Sequence, residues 1–336
     1  MPKVTVIIPN YNHARFLERR IQSILDQTYQ DFEILYLDDA STDDSNRVFA
    51  LFADNPRIRT ILNEQNSGNV FKQWNRGVHE ARGECIWIAE SDDCADSRLL
   101  ATLVDRLDRF PEVGVAYCES WAVDADDNRL ELYRGYMEQM HPDRWHQDFV
   151  NSGKDECARY MVAINTIPNA SAVVFRRSIY ERAGYADETI HLSGDWRMWA
   201  KMLLISDVAF VCEPLNFYRQ HPNAVRYTTK TALRMEEWYR VSEYISRKVE
   251  IEPDVCEAVY ERIMHDWLLR ALQGPERLTW KENVRIFRAA GPFDPRLKRR
   301  LAKRVGMHFM ERSGLLSPAL AVKRGIKRLM PKSLSP

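Results

Sequence analysis

The chain has 336 residues, 45% of them hydrophobic, with only 13 Gly and 15 Pro, a balance that excludes a disordered or collagenous chain and leaves ample sequence for a buried core. No apolar run reaches the roughly 18 residues of a membrane span, and the chain enters "KVTVIIP" with no signal-peptide pattern, so a soluble cytoplasmic protein is expected. The formal net charge of zero conceals a split: from Arg277 onward 16 Lys or Arg stand against 3 acidic residues, while residues 1–276 carry 32 basic against 45 acidic, so tail and body face different partners.

Short apolar runs alternate with helical patterns over the first 120 residues. "KVTVIIP" (3–9), "FEILYLD" (32–38), "IRTILN" (58–63), "ECIWIAE" (84–90) and "GVAYCES" (114–120) have strand length and β-branched or aromatic content. Between them, residues 14–27, 41–54, 69–81 and 96–110 repeat apolar positions at three and four, the helical period. Ser41 with Asp44 resembles a capping box, and Asp96 suits an N-cap. The alternation predicts an α/β fold with a mostly parallel sheet buried on both faces. Beyond residue 120, "DADDN" (124–128) reads as a turn, residues 137–149 as a polar, aromatic loop or short helix, and residues 169–184 as a strand and a helix ended by Gly184. Residues 193–206 form a helix entered by Gly-Asp, residues 207–221 carry one or two strands, and from about residue 230 the pattern is helical and basic. Six scattered cysteines with no CxxC pair read as reduced, buried thiols.

Open parallel sheets bind ligands outside the carboxyl ends of their strands. Those ends bring Pro9 to Asn12, Asp38 and Asp39, Asn63 to Gly68, and Glu90 to Asp93 to one edge. "PNYNHARF" lacks every glycine of a dinucleotide-binding turn, and a Walker A loop is absent, so phosphate must be held another way. The Asp92-Asp93 pair offers one: a hard cation, Mg²⁺ or Mn²⁺, bridging carboxylates and a diphosphate. The competing reading is a solvated acidic turn that caps the next helix.

In this order, "VTVIIPNYN", "YLDDASTDDS", "NSGNVFKQWNRGVHEARGECIWIAESDD" and "GDWRMW" resemble the family 2 glycosyltransferases, inverting enzymes of the GT-A fold, over residues 3–221. The resemblance implies a GT-A catalytic domain over residues 1–225, followed by a helical, basic region over residues 226–336. It also implies Pro9 and Tyr11 against the nucleotide base, Asp39 on the base or ribose, Asp92 near the ribose, and Asp93 as the metal ligand beside the diphosphate. Asn66 to Gly77 match the family's glycine-bearing segment after the third strand, which implies Asn66 and Lys72 as nucleotide-binding residues, Lys72 reaching the base or phosphates; here this chain departs from the commoner "ARN" wording. Asp195 takes the place of the general base that deprotonates the acceptor hydroxyl; the alternative for this residue is a helix N-cap. His221 matches a position near the diphosphate or metal, and on its own merits is as readily an ordinary structural histidine. Trp196 and Trp199 read as core, with lining of an acceptor pocket as the alternative for Trp196, and Glu90 stays open between support of the loop and contact with the donor sugar.

The expected activity is metal-dependent transfer of a sugar from a nucleoside diphosphate sugar donor to a glycan or lipid-linked acceptor in bacterial surface polysaccharide assembly. The alternatives are a nucleotide-sugar binding protein without turnover and a sugar nucleotidyltransferase; the missing glycine-rich triphosphate loop weighs against the second. The basic stretches 294–314 and 320–332 read either as helices on an anionic membrane surface, at the inner face of the plasma membrane, or as a basic face packed on the acidic body. Nucleic acid is not an expected partner, because the binding edge is acidic.

Overall fold

In the computed structural model, which describes residues 1–138, 140–221, 230–272 and 277–312, the first runs become β1 (Val4–Asn10), β2 (Phe32–Asp38), β3 (Ile58–Leu62) and β4 (Cys85–Ile88). They are joined by helices α1 (Ala14–Leu25), α2 (Ser45–Phe49) and α3 (Val70–Glu80). The chain continues through β5 (Cys94–Ala95), α4 (Leu99–Arg109), β6 (Val113–Val123), β7 (Arg129–Leu132), α5 (Arg134–Met137), β8 (Phe149–Asn151) and α6 (Gly153–Glu156). Next come β9 (Val173–Arg176), α7 (Arg177–Arg182), α8 (Gly194–Leu203) and β10 (Asp207–Arg219). Helices α9 (Thr231–Ser246), α10 (Pro253–Leu272), α11 (Trp280–Ala290) and α12 (Leu297–Arg312) follow.

The strands form one sheet in the order β3-β2-β1-β4-β9-β6-β10-β5, with β7 on β6 and β8 on β10. β1, β2, β3 and β4 pair in parallel, as do β6 and β10. β9 lies antiparallel between β4 and β6, so the parallel direction expected from the alternation is interrupted at mid-sheet. Chain length does not impose this direction, because the segments on either side of β9, residues 124–172 and 177–206, are each long enough for a crossover; the packing of the strand between β4 and β6 sets it.

Alternate side chains of the buried strands feed two cores, as a sheet covered on both faces requires. Val4, Val6, Ile8, Ile34 and Tyr36 pack with α1 and α4; Ile7, Leu35 and Leu37 pack with α3, α8 and buried faces of α9, α10 and α11. Among the described residues no helix is long and apolar enough to cross a membrane.

The helix read over 41–54 contracts to α2, and Ser41 does not cap it. The Ser41 hydroxyl and N–H donate instead to Asp38 at 2.6 and 2.8 Å, drawn to the carboxylate that ends β2. Asp96 accepts from the Arg98 N–H at 3.0 Å, a turn ahead of α4. Gly184 ends the α7 segment with φ +83°, the left-handed geometry that glycine tolerates. Part of the basic C-terminal segment packs inward: Arg285 pairs with Glu236 at 2.9 Å, Arg300 with Asp294, Glu257 and Glu261, and Arg304 with Glu261. The stretch 320–332 lies outside the described residues.

Candidate active site

A cavity of about 840 Å³ opens at the carboxyl ends of β1, β2 and β4 and the outgoing end of β10. Its lining includes Pro9, Tyr11, Asp39, Asn66, Asp92, Asp93, Asp195 and His221. Lys72 is not brought there: it is exposed, and its Nζ donates to the Ser67 carbonyl at 3.0 Å, one helical turn back along the chain.

The loops after β1 and β2 are locked together before any ligand arrives. Asn12, with φ +59°, accepts from the Thr42 and Asp43 N–H groups at 2.7 and 3.2 Å. The Asn10 amide lies within 3.1 Å of Tyr36, Asp38 and Ser41. Asp39, buried at 5% exposure, accepts from Asn63 Nδ2, the Ser67 N–H and hydroxyl, and Gln73 Nε2 at 2.5–2.9 Å, so it latches the segment after β3 against the sheet. Asn66 donates to the Asp39 carbonyl at 3.1 Å, while its own oxygen accepts from the Gly68 N–H. Tyr11 stays 44% exposed at the rim.

The acidic loop is stretched between β4 and β5, and β5 is pinned to β10 through Cys94–Phe217 and Ala95–Asn216. Its three carboxylates meet different surroundings. Glu90 accepts from Trp74 Nε1 at 2.8 Å; burial and the neighbouring Asp92 charge push its pKa up to about 8. Asp93, 2% exposed, turns inward, one oxygen accepting from the Arg219 N–H at 2.8 Å and the other from Asn169 Nδ2 at 3.2 Å. Burial and then the Asp92 charge raise its pKa to about 6. Asp92 faces the cavity and meets His221 Nε2 at 3.0 Å. Burial pushes its pKa upward, but the His221 hydrogen bond and the His13 charge outweigh burial and bring the carboxyl below its ordinary value.

His13 completes this corner. Its Nδ1 lies 2.8 Å from the Ser91 hydroxyl, and one donor atom from each of His13, Asp92 and His221 falls within 4.8 Å of the other two. Two imidazoles and a carboxylate converging so closely fit a divalent cation. Asp92 belongs to this cluster and Asp93 does not: the two Asp93 oxygens accept from the Arg219 N–H and from Asn169. Arg219, 1% exposed, braces the loop from behind: its side chain donates to the carbonyls of Asp92 and Asp124 at 2.7 and 2.8 Å and stacks 4.8 Å from the Phe16 ring. Beneath the loop, the fully buried Arg20 guanidinium sits 4.9 Å from the Trp87 ring. Burial lowers its pKa, opposed chiefly by the Asp93 carboxylate.

Asp195 enters from the other side, in the first turn of α8. Its carboxylate accepts from Asn165 Nδ2 at 3.1 Å and from the Trp196 N–H at 2.6 Å. At Gly194, an added Cβ would stand 2.3 Å from the Phe71 ring, so only glycine lets the backbone run this close to α3. Asp195 also lines a second cavity of about 740 Å³, walled by Tyr133, Tyr136, Trp196 and Trp238, with Pro168, Leu192 and Tyr218 common to both cavities. Trp199 is fully buried core; Trp196 is buried too, yet contributes to the wall of this second cavity. His13, Arg219 and Asn165 escaped the sequence reading. The first directly follows the "PNYN" turn and Arg219 stands two residues before His221, placements that could have flagged both, whereas Asn165 carries no local signal.

The family model for glycosyl transferase family 2 matches residues 5–182. An uncharacterized glycosyltransferase of Nostoc is 29% identical over 228 residues, 65% of this chain and 65% of its own length. A GalNAc(5)-diNAcBac-PP-undecaprenol beta-1,3-glucosyltransferase of Campylobacter jejuni is 36% identical over 107 residues, 32% of this chain and 35% of its own. The chain thus spans just under two thirds of the first relative and about a third of the second. S. aureus TarS in complex with UDP-GlcNAc superposes with a TM-score of 0.65 at 16% identity, covering 87% of this chain and 80% of its own. The mannosyltransferase PcManGT of Pyrobaculum calidifontis, in complex with GDP-Man and Mn²⁺, gives 0.52 at 17% identity, covering 98% and 85%. At these identities the structural likeness establishes the GT-A-type fold.

Proposed function

The chain belongs to glycosyl transferase family 2, and from that premise we propose an inverting, metal-dependent enzyme that moves a sugar from a nucleoside diphosphate donor to a hydroxyl of a glycan or lipid-linked acceptor in bacterial surface polysaccharide assembly. One observation carries this reading. The His13, Asp92 and His221 cluster and the Asp195 carboxylate line a single cavity, and Asp195 alone among these four also lines the second. The first cavity then holds the donor and the second the acceptor, with Asp195 where they meet.

His13, Asp92 and His221 are the residues that would hold the cation, and two imidazoles beside one carboxylate favour Mn²⁺ over Mg²⁺. When bound, the cation neutralises the diphosphate as it departs. Pro9, Tyr11, Asp39 and Asn66 lie where the loops after β1, β2 and β3 would flank the nucleoside. Asp195 takes the proton of the acceptor hydroxyl as that oxygen attacks the anomeric carbon from the face opposite the leaving group, which inverts the configuration. Asn165 holds one Asp195 oxygen and the Trp196 N–H the other, so the carboxylate is oriented before the acceptor arrives. In the metal-free site, burial and the neighbouring Asp92 charge favour the protonated form of Glu90.

A panel of nucleoside diphosphate sugars beginning with UDP-GlcNAc and GDP-mannose, assayed for nucleoside diphosphate release with Mn²⁺, with Mg²⁺ and with a chelator, tests the reading. Release with at least one donor that requires Mn²⁺, and a product whose anomeric configuration is opposite to the donor's by NMR, is expected. Retained configuration would exclude the single displacement.

The basic end supports contact with an anionic membrane surface. Lys298, Arg299 and Lys303 are exposed on α12, followed by Phe309 at 64% and Met310 at 44% exposure. The full chain should sediment with vesicles containing anionic lipid and stay in solution with neutral ones; equal behaviour with both would remove the proposal.

A further inference from the structure

We infer that Glu237, on α9, is a positioning residue for the general base, and that through it the C-terminal helices govern catalysis; the inference rests on the reading of Asp195 as that base. Glu237 is 1% exposed. One carboxylate oxygen accepts from the His191 N–H at 2.8 Å, and the other from the Leu192 and Ser193 N–H groups at 2.9 and 2.8 Å. These three consecutive amides immediately precede Gly194 and Asp195, so the carboxylate closes the amino end of α8, where partial positive charge and unpartnered N–H groups gather.

The segment does not cap itself. The Ser193 side chain makes no capping hydrogen bond, and the opposite side of the segment is already committed. Asn69 Nδ2 donates to the carbonyls of Glu188 and Ile190 at 2.8 and 3.0 Å, and the Phe71 ring lies against Gly194. The base-bearing turn is therefore held between α3 on the donor side and α9 on the other. Trp238, next to Glu237, donates to the Ala163 carbonyl at 3.2 Å, two residues before Asn165, the partner of the Asp195 carboxylate. Adjacent residues of α9 thus anchor both segments that aim the base. Leu192, whose N–H Glu237 holds, lines both cavities, and Ser193 lines the second. The clamp therefore sits on the backbone between donor and acceptor, and it acts on position, since Glu237 itself lines neither cavity.

The test uses the full chain, Mn²⁺, and UDP-GlcNAc or whichever donor the panel selects, with water as the acceptor, so that release of nucleoside diphosphate reports deprotonation whatever the natural acceptor is. Glu237→Gln presents an NH₂ group to amides that need an acceptor. It should lower kcat on the order of 100-fold, as a displacement of about 1 Å at the base would, with donor KM and the Mn²⁺ requirement within about twofold of wild type. Because Glu237 acts through Asp195, adding E237Q to Asp195→Asn should cost under about twofold more than D195N alone. A wild-type kcat for E237Q, a parallel loss of donor binding, or a full additional loss in the D195N background would each overturn the inference. If E237Q lost its cooperative melting transition, Glu237→Asp would decide instead. It keeps the charge with a shorter reach, and a kcat between those of wild type and D195N is expected, with a wild-type kcat overturning the proposal. Undiminished release by D195N would sink the reading of the base itself, whereas a silent D195N beside a fully active E237Q would sink only the role of Glu237.

Discussion

The proposed donor-side and acceptor-side walls of this site are built in different ways. On the donor side, β1, β2, β3 and β4 run in parallel and each deposits a short loop at the same edge. The partners there come from neighbouring loops: Asn12 with Thr42, Asn10 with Ser41, Asp39 with Ser67. On the acceptor side the sheet direction breaks at β9, and Asp195 meets a partner from residue 165, sits on a turn held by residue 237, and faces a cavity reaching Arg270. The donor wall is a product of topology, available to any chain with this strand order. The proposed acceptor wall depends on contacts between segments far apart in sequence.

Mutations should separate the two walls. The largest effect is expected at Asp195: replacement by Asn leaves the Asn165 contact sterically intact but removes the base, and kcat should fall at least about 100-fold while nucleoside diphosphate binding by calorimetry is preserved. Lost binding would mean that Asp195 belongs to the donor wall after all.

Next come the neighbouring acids of the loop, whose roles the geometry divides. Asp92→Asn should weaken Mn²⁺ binding by about 10- to 100-fold with little change in melting. Asp93→Asn turns an amide against the buried Arg219 N–H and should cost about 1–3 kcal/mol of stability, with the smaller effect on metal affinity. Titration of Mn²⁺ into both folded variants, beside their urea midpoints, checks the division; the reverse pattern would restore the metal to Asp93.

The smallest effect is expected at Glu90. Its pKa in the folded state, about 8, lies above the ordinary value near 4.3 of an unfolded glutamate. Between these values the folded protein holds the extra proton, so the contribution of Glu90 to metal-free stability is greatest below about pH 4.3. It declines as pH rises and levels off above about pH 8. Glu90→Gln, which mimics the protonated form and still accepts from Trp74, should flatten that decline and leave activity at pH 7 nearly unchanged. An unaltered pH–stability curve in E90Q would show that Glu90 has the same pKa in the folded and unfolded states.

The donor wall could be read from the chain because it obeys two periodic rules. Strand and helix repeats located β1 to β4, and the polar residues following each strand were bound to share an edge. Yet the same spacing could not say which of two adjacent carboxylates faces the ligand. Asp92 and Asp93 differ only in orientation, and that was settled by Arg219 and Asn169, which arrive from β10 and the loop before β9. Lys72 lies outside the cavity lining because its flexible side chain reaches back to the Ser67 carbonyl, ahead of α3.

Asp195 was conspicuous in "GDWRMW", whereas Asn165, Glu237 and the second cavity were not. A carboxylate proposed as the base is visible by its own chemistry, but the groups that would aim it act through backbone amides and shared walls. Apolar periodicity and loop chemistry are local properties carried by a few successive residues, and they determined the α/β alternation, the ligand edge and the identity of the acids. The break of direction at β9, the grouping of His13 with Asp92 and His221, and the clamp from α9 were decided by packing between segments tens to more than a hundred residues apart. Their free energy depends on distances that no stretch of sequence contains.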